Sequence, residues 1–366
     1  MLSIPSMKKV IFLLLILLTT TTFFSRDYDL GYLNPGLGKT IIDTHVHVAG
    51  LGHGDSGCFV NNEMYENFRF PVYLWAMNVS ENELIENGDK LLIRKLSEKI
   101  KQSESVSKAV ILALDGYVDT NGENAGLLNK AKTQIYVPND YIANEIIHYD
   151  NFLFGASIHP ARKDALQRLR KVKQQGAVLL KWIPSVMNID PADKKYKAFY
   201  ELMAELKIPL LTHTGMEKSF STAVDDLADP QRLILPLELG VTVIAAHIAT
   251  TGESEGQDNF ERITPMLHKY PNLYVDISSL TQLNKVNYLN KALSDDVIKS
   301  KMIYGTDWPL QFFPLMSAWY HINHLSIRDA FHVGGIKNQW DRDVALKKAL
   351  HVPDEVFTRS IINLAQ

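Results

Sequence analysis

Downstream of residue 39 the chain repeats one pattern: a short apolar run, then a longer stretch in which apolar positions return every three or four residues. Such runs read as strands buried on both faces, and the stretches between them as helices lying over the sheet. Eight strands are expected, at Thr40–Val46, Ala109–Leu114, Phe152–Ile158, Ala177–Trp182, Pro209–His213, Thr242–His247, Leu273–Ile277 and Lys301–Tyr304, the last running on into Asp307. Ala165–Val172 and Ala198–Leu206 carry helical spacing between them. From the fourth strand on, the period is regular: Lys181 to His213 spans 32 residues, His213 to His247 34, His247 to Asp276 29, and Asp276 to Asp307 31. One βα unit occupies about 30 residues, so the repeat predicts a (β/α)8 TIM barrel. A doubly wound open sheet competes, but it puts a glycine-rich phosphate turn after its first strand, where this chain has Asp43-Thr44-His45-Val46-His47.

Two connections are longer than a barrel needs. Residues 49–108 hold a glycine-rich turn, an aromatic patch over Tyr65–Trp75 and a helix near Lys90–Ile100; a loop of that size after strand 1 is expected to shape or cover a site. After the eighth strand, Leu315–Ile327 reads as the closing helix and Asp341–Leu364 as extra C-terminal helices packed outside. No low-complexity linker divides the chain, so residues 38–366 are expected to form one barrel. Residues 1–25 read differently: Lys8 and Lys9 precede the apolar run Val10–Leu18, the pattern of a signal peptide or an N-terminal membrane anchor. This implies an exported protein, periplasmic or extracellular, or one tethered to the membrane through that segment alone. No cysteine follows the apolar run, which excludes a bacterial lipoprotein anchor.

With 46% hydrophobic and 22% charged residues among 366, the chain can bury a large core. A formal charge of -3 gives no basic excess, so nucleic acid is not an expected partner and a small-molecule substrate is. The single cysteine, Cys58, cannot form an intramolecular disulfide, and its place among Gly50, Gly52, Gly54 and Gly57 favours a structural over a nucleophilic role. No heptad or apolar surface stripe speaks to oligomeric state.

The chemistry lies at the strand ends. His45 and His47 are two apart on a strand, so both imidazoles point to one side. Lys181 ends the fourth strand, His213 the fifth and His247 the sixth, and Asp307 follows the eighth. Each alone could be a satisfied core residue. Together they gather titratable groups at the C-terminal rim, where barrel active sites lie. Nitrogen and oxygen donors of this kind suit a divalent metal, zinc first among them, with manganese, iron and nickel open. His159, at the end of the third strand, and Trp182 and Trp308, each beside a candidate site residue, are candidates to contact substrate; packing is the competing reading for all three.

These motifs resemble the amidohydrolase superfamily, and within it the amidohydrolase-related (type 2) branch of metal-dependent hydrolases. The resemblance rests on Asp43-Thr44-His45-Val46-His47, Ile158-His159-Pro160, Lys181-Trp182-Ile183-Pro184, His213-Thr214-Gly215, His247 and Gly305-Thr306-Asp307-Trp308-Pro309. It implies that His45, His47 and Asp307 hold one metal. In binuclear members the fourth-strand lysine is carboxylated and bridges two metals, with the fifth- and sixth-strand histidines on the second; Lys181, His213 and His247 occupy those places. In mononuclear members the fifth-strand histidine binds the single ion and the sixth-strand histidine acts on water or substrate. One or two ions, with a carboxylated Lys181 in the second case, are thus both provided for.

The expected reaction is attack of an activated water on an amide, lactone, ester or phosphoester, with Asp307 and His247 as catalytic residues. A mononuclear decarboxylase or hydratase of the same branch is the alternative, and a noncatalytic exported binding protein a further one. The acidic stretch Gly252–Asp258, with Glu253, Glu255 and Asp258, is expected to help set specificity and hints at a neutral or cationic ligand.

Overall fold

Eight parallel strands hydrogen-bond in chain order in a computed structural model that describes residues 41–359 and 361. They are β1 (Ile41–His47), β2 (Val106–Leu112), β3 (Phe152–Ala156), β4 (Ala177–Trp182), β5 (Leu210–His213), β6 (Val243–Ala246), β7 (Leu273–Asp276) and β8 (Met302–Ile303). The ring closes beyond β8. Asp307 N–H donates to His45 O at 2.9 Å and His47 N–H to Trp308 O at 3.0 Å, tying the chain after β8 to the upper half of β1. The (β/α)8 barrel expected from the repeat is therefore the fold. The signal or anchor segment expected over 1–25 lies outside the described residues, and among those described no helix is long and apolar enough to cross a membrane.

Alternation along the strands builds the site in layers. Val110 and Leu112 on β2, Leu179 on β4, Leu211 on β5, Ile244 and Ala246 on β6 and Ile303 on β8 pack together in one buried cluster, separate from the larger one that includes the helices. Gly155 keeps β3 out of this space, since a Cβ there would meet Leu112, Val110 and Leu179 side chains at 2.5 to 3.2 Å. Side chains two residues further on share the same face, so Lys181 stands above Leu179 and His213 above Leu211. Helices close the outside: Lys90–Lys101 buries Leu92, Leu96 and Ile100 against the sheet and ends in Lys99 and Lys101, favourable at a helix C-terminus.

The second strand runs over Val106–Leu112 rather than Ala109–Leu114, and two further departures from the sequence expectation have a local cause. β3 stops at Ala156 rather than Ile158 because the Asn139 side chain replaces a strand partner, accepting from Ser157 N–H at 2.8 Å and donating to Ser157 O at 2.7 Å. The closing helix expected over Leu315–Ile327 is absent. Residues 318–321 form only a 3-10 turn, and the α-helix runs over Ile327–Gly335, where Ser326 accepts from Asp329 N–H at 3.0 Å and fixes the N-terminus. Gln339–Ala349 and Asp354–Thr358 follow as the extra C-terminal helices.

Candidate metal centre

At the C-terminal mouth of the barrel lies a cavity of about 130 Å³ whose walls include His45, His47, Lys181, His213, His247 and Asp307. The helix Arg69–Met77, from the long connection after β1, lies over it through Phe70, Leu74 and Met77. The aromatic stretch Tyr65–Trp75 thus contributes to a cover, as its length and position suggested. Asp307 and His247 reach the cavity from left-handed backbone, φ 65° and 60°, a conformation costing roughly 1–3 kcal/mol for a residue other than glycine and concentrated at functional sites.

His45 and His247 share one arrangement: Nδ1 is engaged by a partner behind the ring and Nε2 is left as an acceptor. His45 Nδ1 donates to Asp276 Oδ2 at 2.7 Å, which assigns the tautomer and leaves Nε2 an acceptor. His247 Nδ1 donates to Ser278 O at 3.0 Å. His213 Nδ1 lies 3.5 Å from Glu217 Oε2, while its buried Nε2 has no partner among the described residues. Burial lowers all three proton affinities, His45 to about 4 and His247 well below the usual imidazole value. These rings are neutral at pH 7.

Around His45 Nε2 the polar atoms converge: His47 Nε2 at 3.0 Å, Lys181 Nζ at 2.9 Å and Asp307 Oδ1 at 3.4 Å, the last also 3.4 Å from His47 Nε2. Donors held about 2.0–2.1 Å from a common zinc-sized ion stand roughly 3–3.4 Å from one another, so the triangle of His45, His47 and Asp307 fits a divalent ion. His247 and His213 continue the cluster, with ring centroids 5.2 Å apart. Lys181 is near enough to both His45 and His213 for its charge to depress both rings, and its own burial brings it down to about 8. Asp307 stays ionised: burial opposes its charge, but His45, His247 and a hydrogen bond from His47 hold it well below the usual carboxylate range.

Three candidates are corrected. His159 is buried away from the cavity, its Nε2 donating to Met187 O at 3.1 Å and its Nδ1 accepting from Ala161 N–H at 3.1 Å; it ties the loop after β3 to the loop after β4 rather than facing a substrate. Trp182 is fully buried, donating to Ile158 O at 2.8 Å and stacking on Phe199. Trp308 stacks on Trp340 and donates to Gln339 Oε1 at 3.1 Å. The acidic stretch is also spent elsewhere. Asp258 caps the helix Asn259–Lys269, Glu255 contacts Arg262 at 3.3 Å, and neither lines the cavity.

Sequence reasoning missed Asp276, Ser278, Ser279, Glu217 and Lys285. Asp276 was legible, since it ends β7 at the same rim position as the other strand-end residues; besides His45 it accepts from His247 N–H at 2.9 Å and so positions two histidines. Ser279 Oγ donates to Asp307 Oδ2 at 2.6 Å from the loop beyond, where no periodicity points to it. Cys58 is buried in the glycine-rich turn, its thiol pushed up to about 12 by burial, as suits a structural residue.

A closed parallel barrel with imidazoles and a carboxylate gathered at its C-terminal mouth defines a class of metal-dependent barrel enzymes. A protein-family model described as amidohydrolase matches residues 110–323, more than half of the chain, and the protein belongs to that family. Members of that family typically use a divalent metal. No curated protein sequence matches the chain. Among solved structures, an uncharacterized TIM-barrel protein from Bordetella bronchiseptica shares 18% identity over 89% of this chain and 99% of its own, with a TM-score of 0.51. A 5-carboxyvanillate decarboxylase from Sphingomonas paucimobilis shares 9% over 89% and 98%, at 0.49. A proposed 2-pyrone-4,6-dicarboxylic acid hydrolase from Pseudomonas putida shares 13% over 86% and 98%, at 0.44.

Proposed function

We propose that the protein is a metal-dependent hydrolase of a small molecule, with His45, His47 and Asp307 holding one divalent ion and Lys181, carboxylated, His213 and His247 providing for a second. The observation that carries this reading is the outward anchoring of the histidines. His45 and His247 are anchored through Nδ1, which leaves each Nε2 as an acceptor at the cavity they line, and the buried His213 Nε2 has no partner among the described residues. An orphaned buried nitrogen costs about 1–3 kcal/mol unless something binds it. Histidines serving only the fold would resemble His159, with both nitrogens satisfied.

A bound divalent ion would supply Lewis acidity, polarising the scissile carbonyl or phosphoryl group and lowering the pKa of water. The protein's own groups do the rest. Asp307, ionised and held by the Ser279 hydroxyl at 2.6 Å, accepts the proton of the attacking water on its carboxylate and returns it to the leaving group. His247, neutral and 3.9 Å from Asp307 Oδ2, presents Nε2 to the oxygen on which negative charge develops or to the water. The lowered proton affinity of Lys181 raises the share of free amine, the form that can add carbon dioxide, and its carbamate would replace an ammonium badly matched to neighbouring cations. Phe70, Leu74 and Met77 keep bulk water out.

Replacing Asp307 with Asn tests the assignment. The protein should fold with an unchanged melting profile and lose about 10³-fold in rate on any ester, lactone, amide or phosphoester it turns over. A variant retaining most of its rate removes Asp307 from proton transfer. Release of carbon dioxide without consumption of water would replace hydrolysis by decarboxylation.

A further inference from the structure

Lys285 closes the 3-10 turn Leu283–Lys285 beyond β7, and its side chain forms part of the cavity wall with only 7% of its surface exposed. No carboxylate lies within ion-pairing distance of its Nζ and no acceptor receives a hydrogen bond from it among the described residues. The contrast with Lys347 is direct: equally buried, it gives Nζ to Asp343 at 2.7 Å and to Gly305 O at 2.9 Å. A buried ammonium without a partner is costly, and burial accordingly lowers the proton affinity of Lys285.

The carboxylates of the pocket are already committed. Glu217 Oε1 accepts from Ser219 N–H at 2.5 Å while Oε2 lies toward His213, and Asp307 Oδ2 holds the Ser279 hydroxyl. Lys218, exposed and also lining the cavity, adds a second ammonium with no ion pair among the described residues. Phe70, Leu74 and Leu310 give the lining its apolar surface. A cavity of about 130 Å³ is close to the roughly 150 Å³ that holds one benzene in an engineered protein core.

We infer, resting on the hydrolase reading above, that the substrate of this site carries a carboxylate on a body of about one ring's size, and that Lys285 is the specificity-determining residue that pairs with it. The ligand supplies the partner that the fold withholds, while its apolar body lies against the helix Arg69–Met77. This reverses the neutral or cationic ligand suggested by the acidity of Gly252–Asp258, whose Glu255 and Asp258 are engaged elsewhere.

Calorimetric titration of the full metal-loaded chain with benzoate and phenylacetate, each against its neutral amide, tests this on the wild type, Lys285→Met and Lys285→Arg. The wild type should bind an acid at least about tenfold more tightly than its amide, Lys285→Met should lose that preference, and Lys285→Arg should keep part of it. Equal affinity for acid and amide in the wild type, or a preference surviving in Lys285→Met, overturns the inference, since the carboxylate would then be read by the metal or by nothing. In ligand-free protein, Lys285→Met should melt no lower than wild type; a lower melting point would reveal a partner for Lys285 and also count against it. Metal content, measured on the same samples, judges the hydrolase reading separately: a preference lost with Lys285 but present in metal-free protein would sink that reading and leave this one standing.

Discussion

Two buried polar clusters lie within a few residues of each other along β1 and the chain after β8, and they are finished to different degrees. In the first, Asp43 accepts from His45 N–H at 3.1 Å, Thr306 N–H at 3.0 Å, Thr306 Oγ1 at 2.5 Å and Trp340 Nε1 at 2.8 Å. Beside it, Lys347 pairs with Asp343, which also accepts from Tyr304 at 3.0 Å. Each charged group there has its partner within the protein. In the second cluster, two residues further along β1, His45 Nε2 has His47 Nε2 at 3.0 Å and Lys181 Nζ at 2.9 Å, and His213 Nε2 has no partner among the described residues. The first cluster locks β1, the segment after β8 and the C-terminal helix Gln339–Ala349 into one frame. The second is held open by that frame. Satisfied buried polar groups are scaffold, and an unsatisfied buried polar atom marks where a ligand belongs.

Removing one side of a finished pair should break this comparison most visibly. Lys347→Met leaves the Asp343 carboxylate buried without its cation, and stability should fall by about 3–5 kcal/mol, read from the denaturant midpoint. A loss under about 1 kcal/mol would mean that the scaffold cluster is no more finished than the site.

Acidity gives a smaller effect that sharpens the contrast. His45 and His159 are both held at about 4 by burial, against an ordinary 6.5. The unfolded chain takes up protons on both as pH falls below about 6.5, and the folded chain does not until about 4. The stability contributed by these two neutral rings is therefore complete above about pH 6.5 and is lost as pH falls toward 4. In metal-free protein each should cost about 2 kcal/mol between pH 7 and pH 5. Denaturant titrations at the two pH values check this. His159→Gln should remove about half of the slope without touching metal content, because His159 belongs to the scaffold; an unchanged slope would contradict its burial as a neutral ring.

The same division governs how far the sequence could be read. Apolar runs of strand length alternating with period-3.6 stretches, about 30 residues apart, made the barrel legible, because a parallel strand covered on both faces is apolar throughout. The rim residues were visible because a strand that is apolar to its last residue and then ends in His, Lys or Asp breaks its own pattern, as at Lys181, His213 and His247. His159, Trp182 and Trp308 break the pattern in the same way for a different reason: their polar atoms satisfy the carbonyls and amides of turns, which spacing cannot distinguish from a ligand. Lys285 and Ser279 lie in irregular turns after β7, where their approach to the cavity depends on backbone path alone. The closing helix failed for a similar reason, since the capping serine at Ser326 outweighed apolar spacing over Leu315–Ile327.

The most direct test of the account is metal content per chain by elemental analysis, on wild type and Lys181→Ala purified under the same conditions. The account predicts about two divalent ions in the wild type and one or none in the variant, with both proteins folded. Wild-type protein that is stable, folded and free of stoichiometric metal after incubation with zinc, manganese, iron or nickel would contradict it, and the open lone pairs of His45, His213 and His247 would then need another ligand.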